Sequence, residues 1–133
     1  MLGEEMYGWA RDLWDFPRSL TGEGVRETLR YLQKIVPDLV ICEIPSGTRA
    51  FDWSVPNEWA IRSAFVQDKH GQKIIDWETN NLSVVGYSVP FSGWVSRSKL
   101  EEHLHSVPES PEAIPYVTSY YEERWGFCLE DRL

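Results

Sequence analysis

The sequence predicts an α+β fold, in which an amino-terminal helix hairpin and a strand precede a small mixed α+β region rich in β-hairpins. Apolar residues recur at helical spacing in two stretches near the start of the chain. A short β-rich run follows at residues 39–44, and two further apolar runs flank a polar turn at residues 68–71. With 133 residues, the chain has room for one domain, or for a helical element and a compact α+β unit.

The first helix is predicted at residues 3–16. One face of this helix collects five apolar residues spaced three and four positions apart: Met6, Trp9, Ala10, Leu13 and Trp14. Glu4 and Glu5 place negative charge at the predicted amino end, where the helix dipole favours it. Pro17 ends the helix because it disfavours helical backbone geometry at Phe16.

A second helix follows so closely that the two are expected to form a helix hairpin. Thr21 is its predicted N-cap, and Leu20 and Val25 stand at the positions of a hydrophobic staple. Further apolar residues continue the predicted buried stripe: Leu29, Leu32 and Val36. Pro37 then ends the helix.

Residues 39–44 are mostly apolar and bounded by turn residues, which predicts a buried strand. Two helices followed by a strand are typical of the opening of an α/β domain, whose later elements this chain does not contain. Further along, residues 60–67 and 72–77 are predicted to pair as a β-hairpin. Residues 82–89 are another strand candidate.

A short third helix is expected after residue 96, capped by Ser96 or Ser98 and carrying Leu100 and Leu104. Ser98 and Glu101 stand at the spacing of a capping box. Beyond this helix, the aromatic-rich stretch at residues 116–129 is apolar enough to require packing.

The composition excludes some classes of partner. The net charge is −8 and basic residues form no stripe, so neither a nucleic acid nor an anionic membrane is an expected partner. The first residues lack the pattern of a signal peptide, and no apolar run approaches the length of a membrane span. We therefore expect a cytoplasmic protein whose cysteines, Cys42 and Cys128, are free thiols. Cys128 lies between apolar neighbours and is expected to be buried rather than nucleophilic.

His103 and His105 form the nearest approach to a metal-binding pair in the sequence. On a helix, residues two positions apart point in nearly opposite directions, whereas on a strand both rings could face one ion. The local pattern favours a helix, and no further ligands stand at zinc-like spacing. We therefore predict no metal site in this chain.

The most informative stretch for binding is residues 46–59, which combines turn residues with charged and aromatic side chains. Arg49 and Asp52, with Trp53 and Trp59, are the candidate residues for binding a substrate or partner, because such loops often form binding surfaces. The alternative is that Arg49 and Asp52 form a structural ion pair above packed tryptophan rings. Both interpretations remain open at this point.

The sequence resembles a bacterial family of aminopeptidase-like proteins, often labelled polysaccharide-biosynthesis proteins. Seven segments carry the resemblance: residues 6–9, 16–24, 46–59, 81–89, 104–106, 113–121 and 125–129. The resemblance implies that residues 1–45 begin a peptidase domain and that residues 46–133 form an inserted domain of unknown function. It also implies a zinc-dependent hydrolase as the full-length parent.

The zinc-binding stretches that the resemblance implies have no counterpart in these residues, since no His-x-Asp occurs. Zinc catalysis needs about three protein ligands and a general base, so no catalytic or metal-binding residue is assigned. The first hypothesis is therefore the amino-terminal and inserted-domain region of a zinc-dependent aminopeptidase-like hydrolase, inactive alone. Its expected partners are the rest of the peptidase domain or a second copy, with a peptide-like substrate. The alternative is a non-catalytic module that recognises a peptide, a glycan-linked substrate or a partner subunit.

Overall fold

The computed structural model describes residues 2–18, 20–120 and 122–133. Its helices are α1 (Leu2–Asp12), α2 (Glu23–Ile35) and α3 (Arg97–Glu101), with a 3₁₀ turn at Asn81–Ser83. Its strands are β1 (Arg49–Ala50), β2 (Trp53–Ser54), β3 (Phe65–Gln67), β4 (Lys73–Asp76), β5 (Leu104–His105) and β6 (Phe127–Cys128). The strands pair two by two, as β1 with β2, β3 with β4 and β5 with β6. The chain divides into two compact units, Met1–Ile61 and Arg62–Leu133. The α+β class is thus confirmed, whereas the proposed start of a peptidase domain at residues 1–45 stays a prediction.

Helix α1 ends at Asp12, four residues before the predicted end. The chain after it tightens into turns, in which Trp14 N donates to the Arg11 carbonyl at 3.2 Å. The guanidinium of Arg18 donates to the Leu13 carbonyl at 2.8 Å, and the same carbonyl accepts from the Phe16 N–H at 3.3 Å. The helix therefore stops before Pro17 can constrain it.

Helix α2 begins after Gly22 and not after the predicted N-cap Thr21. Gly22 has φ 104, a backbone conformation that side chains with a Cβ rarely adopt. A Cβ at this position would also lie 2.7 Å from the carbonyl oxygen of Trp59. The predicted cap and the staple built on it are wrong, because the local backbone geometry requires glycine at the start of the helix.

Residues 39–44 do not form the predicted buried strand. The segment belongs to no helix or strand, and Val40 and Ile44 are largely exposed. A strand needs a neighbour for its backbone groups, and the described residues provide none for this segment. The residue types of this segment are those of a strand. Composition does not show, however, whether a neighbouring strand is present to pair with it.

The predicted hairpin around residues 68–71 is confirmed, with shorter strands. Strand β3 pairs antiparallel with β4, and the register shifts between Val66 and Gln67. The Asp68 carboxylate accepts hydrogen bonds from the backbone N–H groups of His70 and Gln72 at 2.8 and 2.9 Å. Gly71 has φ 83, the positive backbone angle that the predicted turn requires at this position.

The core of the second unit lies where the chain from residue 83 to residue 86 meets β6. Its buried apolar residues are Ile75, Val84, Val85 and Cys128. Residues 82–89 do not form the predicted strand: the 3₁₀ turn is followed by isolated bridges from Val84 to Phe127 and from Gly86 to Thr118. The buried Ser119 anchors this region, since its N–H donates to the Gly86 carbonyl at 2.8 Å. Of the described residues in the stretch 116–129, Ser119, Gly126 and Cys128 are buried, as the apolar content predicted, whereas Tyr116 stays exposed.

Helix α3 is capped by Ser96, whose hydroxyl accepts from the Lys99 N–H at 3.3 Å. The capping box predicted at Ser98 is therefore wrong. The helix ends at Glu101, so Leu104 lies on strand β5 and not on the helix. Strand β5 pairs in parallel with β6, a contact between distant parts of the sequence that local periodicity could not reveal.

None of the helices in the described residues is both long and apolar enough to span a membrane. Both cysteines are free and Cys128 is buried, as predicted, whereas Cys42, which the predicted strand would have buried, is exposed.

Candidate functional site

Three of the four predicted binding residues lie on one small hairpin in the first unit. Strands β1 and β2 pair antiparallel, with Arg49 opposite Ser54 and Ala50 opposite Trp53. The pairing continues beyond these strands, because Val55 N donates to the Thr48 carbonyl at 2.9 Å. Two residues, Phe51 and Asp52, therefore form the tip of the hairpin.

The tip of this hairpin is an exposed aromatic residue in a strained conformation. Phe51 is 95% exposed and has φ 55. Tight hairpin turns place positive φ angles on glycine, asparagine or aspartate, because a side chain with a Cβ crowds the following carbonyl. Strain of this kind costs about 1–3 kcal/mol and often marks functional sites. The hairpin thus presents an aromatic ring to solvent at an energetic cost.

The charged residues of the hairpin do not neutralise each other. No ion pair joins Arg49 to Asp52 within the described ranges, and both side chains are exposed. The structural ion pair considered as an alternative is therefore wrong. Trp53 is 44% exposed, so its ring does not pack fully beneath the hairpin. Arg49 can consequently offer its planar guanidinium, with five N–H donors, to a ligand carboxylate.

Trp59, the fourth predicted residue, lies apart from the hairpin strands, at the amino end of α2. Its carbonyl oxygen faces Gly22, so closely that only glycine fits there. Trp59 is half-buried. The structure thus places Arg49, Asp52 and Trp53 on one hairpin, with Arg49 and Trp53 on opposite faces of it, and places Trp59 at the base of the segment that carries them.

Arg26 of α2 holds the two ends of that segment. Its guanidinium contacts Glu43 (3.3 Å) before the hairpin and Glu58 (3.2 Å) after it. It also contacts Glu23 on its own helix at 3.4 Å. The Glu58 carboxylate is the main reason that the pKa of Arg26 is raised above its already high ordinary value. The hydrogen bond from Arg30 is the main reason that the pKa of Glu23 is lowered.

We call this arrangement the Arg26 clamp, comprising Arg26, Glu43 and Glu58. Arg26 and Glu58 are 32 positions apart in the sequence, so the clamp closes a long loop. It fixes the base from which the hairpin of β1 and β2 projects. Single exposed ion pairs contribute little, but two pairs on one guanidinium restrict where the segment can lie.

The predicted histidine pair lies in the second unit, on and just before a strand. His103 precedes β5 and His105 lies within it. The His103 ring is stacked on Trp125, and its Nδ1 lies 2.9 Å from the Trp125 carbonyl. Burial, with the positive charges of Arg124 and His103, lowers the pKa of His105. The helix predicted here is wrong, yet the two rings still do not form a shared ligand set.

Cys128 is fully buried beside these residues. Burial raises the pKa of its thiol to about 11, so the reactive thiolate is scarce at neutral pH. The interpretation of Cys128 as a small buried hydrophobe is confirmed.

A zinc site needs several ligand side chains that converge on one point. Within residues 2–18, 20–120 and 122–133, no group of three or more His, Cys, Asp or Glu side chains could hold a metal ion. The Nδ1 of His103 is already engaged with a backbone carbonyl. These residues do not fit a catalytic zinc site, which needs about three converging protein ligands.

Two features of the site were not found from the sequence. Phe51 was not singled out, because its importance rests on a backbone angle that composition does not report. Arg26 was not singled out either, because its partners Glu43 and Glu58 are distant in sequence. A local signal existed only for Phe51, as an aromatic residue between two short β-type runs.

Comparisons with known proteins identify relatives of this chain by sequence and by structure. Residues 58–133 match a family model described as "Domain of unknown function (DUF2172)". A Clostridium acetobutylicum protein named "Putative polysaccharide biosynthesis protein with aminopeptidase-like domain" is 46% identical over 127 residues, covering 96% of this chain and 29% of the relative. A solved structure described as a "putative peptidase" from Clostridium acetobutylicum superimposes with a TM-score of 0.93 at 44% identity. It is matched over 98% of this chain and 31% of its own length.

The comparisons confirm the resemblance to aminopeptidase-like proteins that the sequence indicated. The chain spans well under half the length of the relatives it matches. The similarity therefore concerns one part of those proteins.

Proposed function

Because the chain belongs to the family described as the domain of unknown function DUF2172, we propose that it forms the amino-terminal and inserted-domain region of an aminopeptidase-like hydrolase. The observation that carries this proposal is the close match of nearly the whole chain to part of a solved peptidase-like structure. In this role the chain supplies a scaffold and a binding arm, and the chemistry takes place on residues outside it.

The hydrolase is proposed to be zinc-dependent, with its zinc held outside these residues. The absence, among the described residues, of any cluster of three possible metal ligands supports a zinc site outside this chain. The chain alone is accordingly proposed to be inactive. A bound zinc in the complete hydrolase would polarise the scissile carbonyl and activate a water molecule.

The hairpin of β1 and β2 is proposed to contact the far end of a peptide-like substrate. Arg49 is exposed and free of an ion pair with Asp52, so its guanidinium can bind a carboxylate through two parallel hydrogen bonds. Phe51 at the tip and Trp53 on the opposite face of the hairpin provide exposed aromatic surface for the same ligand. Asp52, also exposed, can accept a hydrogen bond from the ligand. Trp59 supports the arm from its base.

The Arg26 clamp would serve this role by holding the arm in one position. A preorganised arm loses less conformational entropy when a ligand binds. The proposed division is therefore that Arg26 positions the hairpin, whereas Arg49 and the aromatic residues make the contact.

The test uses a chimera in which this chain replaces the matched part of the Clostridium relative. Aminopeptidase activity on aminoacyl and short peptide substrates, with zinc content, is measured for the chimera and for the free chain. We expect hydrolysis and bound zinc in the chimera and neither in the free chain. A zinc-loaded chimera and a zinc-loaded intact relative that both fail to hydrolyse any such substrate would overturn the proposal.

The role of the arm is tested by Arg49→Lys in the same chimera. Lysine keeps the charge but loses the planar fork, so substrate binding should weaken about tenfold while the melting temperature stays unchanged. Arg62→Lys is the matched control, because Arg62 is also exposed. Unchanged binding together with a lower melting temperature would assign Arg49 to structure instead.

A second candidate function is a binding or scaffold module without chemistry. The exposed and strained Phe51 favours it, because a costly exposed aromatic residue suits recognition of a partner as well as of a substrate. The same chimera distinguishes the two functions. Loss of partner or ligand capture on changing Phe51, in a protein without hydrolytic activity, would support the module.

A further inference from the structure

The loop at residues 90–95, in the second unit, presents two large aromatic side chains to solvent. Trp94 is 75% and Phe91 is 52% exposed, whereas the branched aliphatic residue of the loop, Val95, is half-buried. We call Phe91 and Trp94 the aromatic platform. Exposed aromatic residues that lie close together often mark a binding surface.

The two rings of the platform belong to one surface, which stacked rings support from below. Phe91 is stacked on Trp125, with centroids 4.5 Å apart and planes 8° apart, so one face of its ring is covered. A Cβ on Gly93 would lie 3.5 Å from Cζ of Phe91, so the backbone that leads into Trp94 runs beside the phenylalanine ring. Trp125 is in turn stacked on His103 at 3.7 Å.

Both ends of the loop are fixed by hydrogen bonds. Before the loop, Val89 N donates to the Arg124 carbonyl at 3.0 Å, next to the stacked Trp125. After the loop, Ser96 caps α3, and its carbonyl accepts from the Leu100 N–H at 2.9 Å. A surface held at both ends loses little conformational entropy when a ligand binds to it.

Hydrogen-bond donors surround the rings of the platform. Among the described residues, none of the N–H groups from Phe91 to Val95 donates a hydrogen bond within the chain. The side chain of Ser92, between the two rings in the sequence, is exposed and offers a hydroxyl. The indole N–H of Trp94 is a further donor. A ligand that lies on the platform can therefore place several oxygen atoms against donors.

The charges that follow the platform are neutralised within the chain. On α3, Arg97 pairs with Glu101 at 2.8 Å and Lys99 pairs with Glu102 at 2.6 Å. Within residues 90–102, all of which the structure describes, no cation is thus left to hold a phosphate or a carboxylate. The net charge of −8 disfavours anionic ligands further. The ligand that fits this surface is uncharged.

We propose that the aromatic platform binds a neutral saccharide. The C–H bonds on one side of a pyranose ring form a flat apolar face, and the negative face of an aromatic ring attracts such bonds. Phe91 and Trp94 supply the rings, while Ser92 and the backbone N–H groups of the loop meet the sugar hydroxyls. The site is a binding function of the second unit and does not depend on hydrolysis.

A protein partner suits the platform less well. A stable protein interface buries about 800 Å² on each side. Two aromatic side chains contribute only about 300–500 Å² even when they are fully covered. That area matches one or two sugar rings. A second copy of this chain is also disfavoured, because each copy carries a net charge of −8.

Magnetic resonance of the isotope-labelled free chain tests the site. Neutral oligosaccharides of glucose, N-acetylglucosamine, mannose and galactose are added in separate titrations. The indole N–H of Trp94 and the amides of residues 91–95 should shift with at least one of them, with a dissociation constant of about 1 mM. Absence of such shifts with every saccharide at about 20 mM, well above that value, would overturn the proposal. Adenosine monophosphate that binds more tightly than any saccharide would overturn it in favour of a nucleotide site.

Substitution of Trp94 tests whether the platform itself makes the contact. Trp94→Ala should weaken saccharide binding about tenfold or more, because it removes the more exposed ring, whereas Trp94→Phe should keep most of the affinity. Tyr116→Ala is the matched control, since Tyr116 is a 62% exposed aromatic residue of the same unit outside the loop. Equal affinities of Trp94→Ala and Tyr116→Ala would refute the assignment.

The chimera separates a saccharide from cover by the rest of the aminopeptidase-like protein. If the platform stays open to solvent there, Trp94→Ala leaves the melting temperature of the chimera unchanged, as it does that of the free chain. A lower melting temperature in the chimera alone would show that another part of the protein covers the ring, and the proposal would fall.

Discussion

The imidazole of His103 lies flat on the indole of Trp125, with ring centroids 3.7 Å apart and ring planes 11° apart. The other stacked neighbour of Trp125 is Phe91, at 4.5 Å, so the indole lies between two rings. The Nδ1 of His103 is 2.9 Å from the carbonyl of the same tryptophan. The histidine is therefore held by stacking and by a hydrogen bond, which leaves it poorly placed to rotate toward a metal ion.

The free chain is expected to bind no stoichiometric zinc. His103 is engaged with Trp125. His105 lies on β5, and the described residues provide no group of three or more side chains that could hold a metal ion around it. Metal analysis of the purified chain after zinc loading and dialysis would check this expectation. About one tightly held zinc per chain, lost on His103→Gln but kept on His70→Gln, would contradict it.

Stability should depend on pH through His105. Burial, with the charges of Arg124 and His103, lowers the pKa of His105 in the folded chain. The folded state then binds fewer protons than the unfolded state, whose histidine has a pKa of about 6.5. The contribution of His105 to stability is therefore complete above that pH and declines as the pH falls toward the lower, folded pKa.

Melting temperatures measured between about pH 7.5 and pH 5.5 test this dependence, because most carboxylates stay ionised over that range. His105→Gln should flatten the fall in melting temperature, whereas His70→Gln, at an exposed turn position, should leave it unchanged. An equally steep fall in the His105 variant would show that other groups carry the dependence.

Gly126→Ala should destabilise the second unit by about 1–3 kcal/mol. A Cβ at this position would lie 2.8 Å from the His103 carbonyl oxygen and 3.0 Å from Cγ2 of Val85, so β5 or the core must move. Urea unfolding measures the change. Gly93→Ala is the matched control, because its Cβ would meet only Phe91, at an ordinary 3.5 Å. Equal stability of the two variants would disprove the close packing.

At the hairpin tip, glycine should be better tolerated than alanine. Phe51 has φ 55, so Phe51→Gly relieves the strain while Phe51→Ala keeps a Cβ and therefore the strain. We expect the glycine variant to be about 1 kcal/mol more stable than the alanine variant, the reverse of the usual order within strands. Chemical denaturation of both variants measures this difference. An alanine variant that is the more stable of the two would show that the tip is not strained.

The local parts of the fold were predictable from the sequence. The apolar periodicity placed α1 and α2, and Asp68 with Gly71 specified the turn between β3 and β4. The errors in these elements concern their ends. Thr21 is the better N-cap by residue preference, but the backbone at Gly22 adopts a φ that only glycine accepts easily.

The parts that depend on distant residues were not predictable. Leu104 continued a helical pattern, yet it lies on a strand because Phe127 pairs with it. Residues 39–44 have strand composition, but composition does not say whether a neighbouring strand exists. Of the candidate site, Arg49, Asp52 and Trp53 were recognised as loop residues rich in binding chemistry, and their role stays a prediction. Phe51 depends on a torsion angle and Arg26 on long-range ion pairs, neither of which local sequence encodes.

The parallel pairing of β5 with β6 has a consequence for biosynthesis. A ribosome delivers Val85 and β5 well before it delivers Phe127 and Cys128. Until then, the N–H of Val85 lacks the Gly126 carbonyl to which it donates at 3.0 Å, and Phe127 cannot yet reach the His103 carbonyl. The local turns and helices can form as the chain emerges, but the core around Val85 must wait for residue 128. Nascent chains that pause earlier would expose that core and become substrates for chaperones.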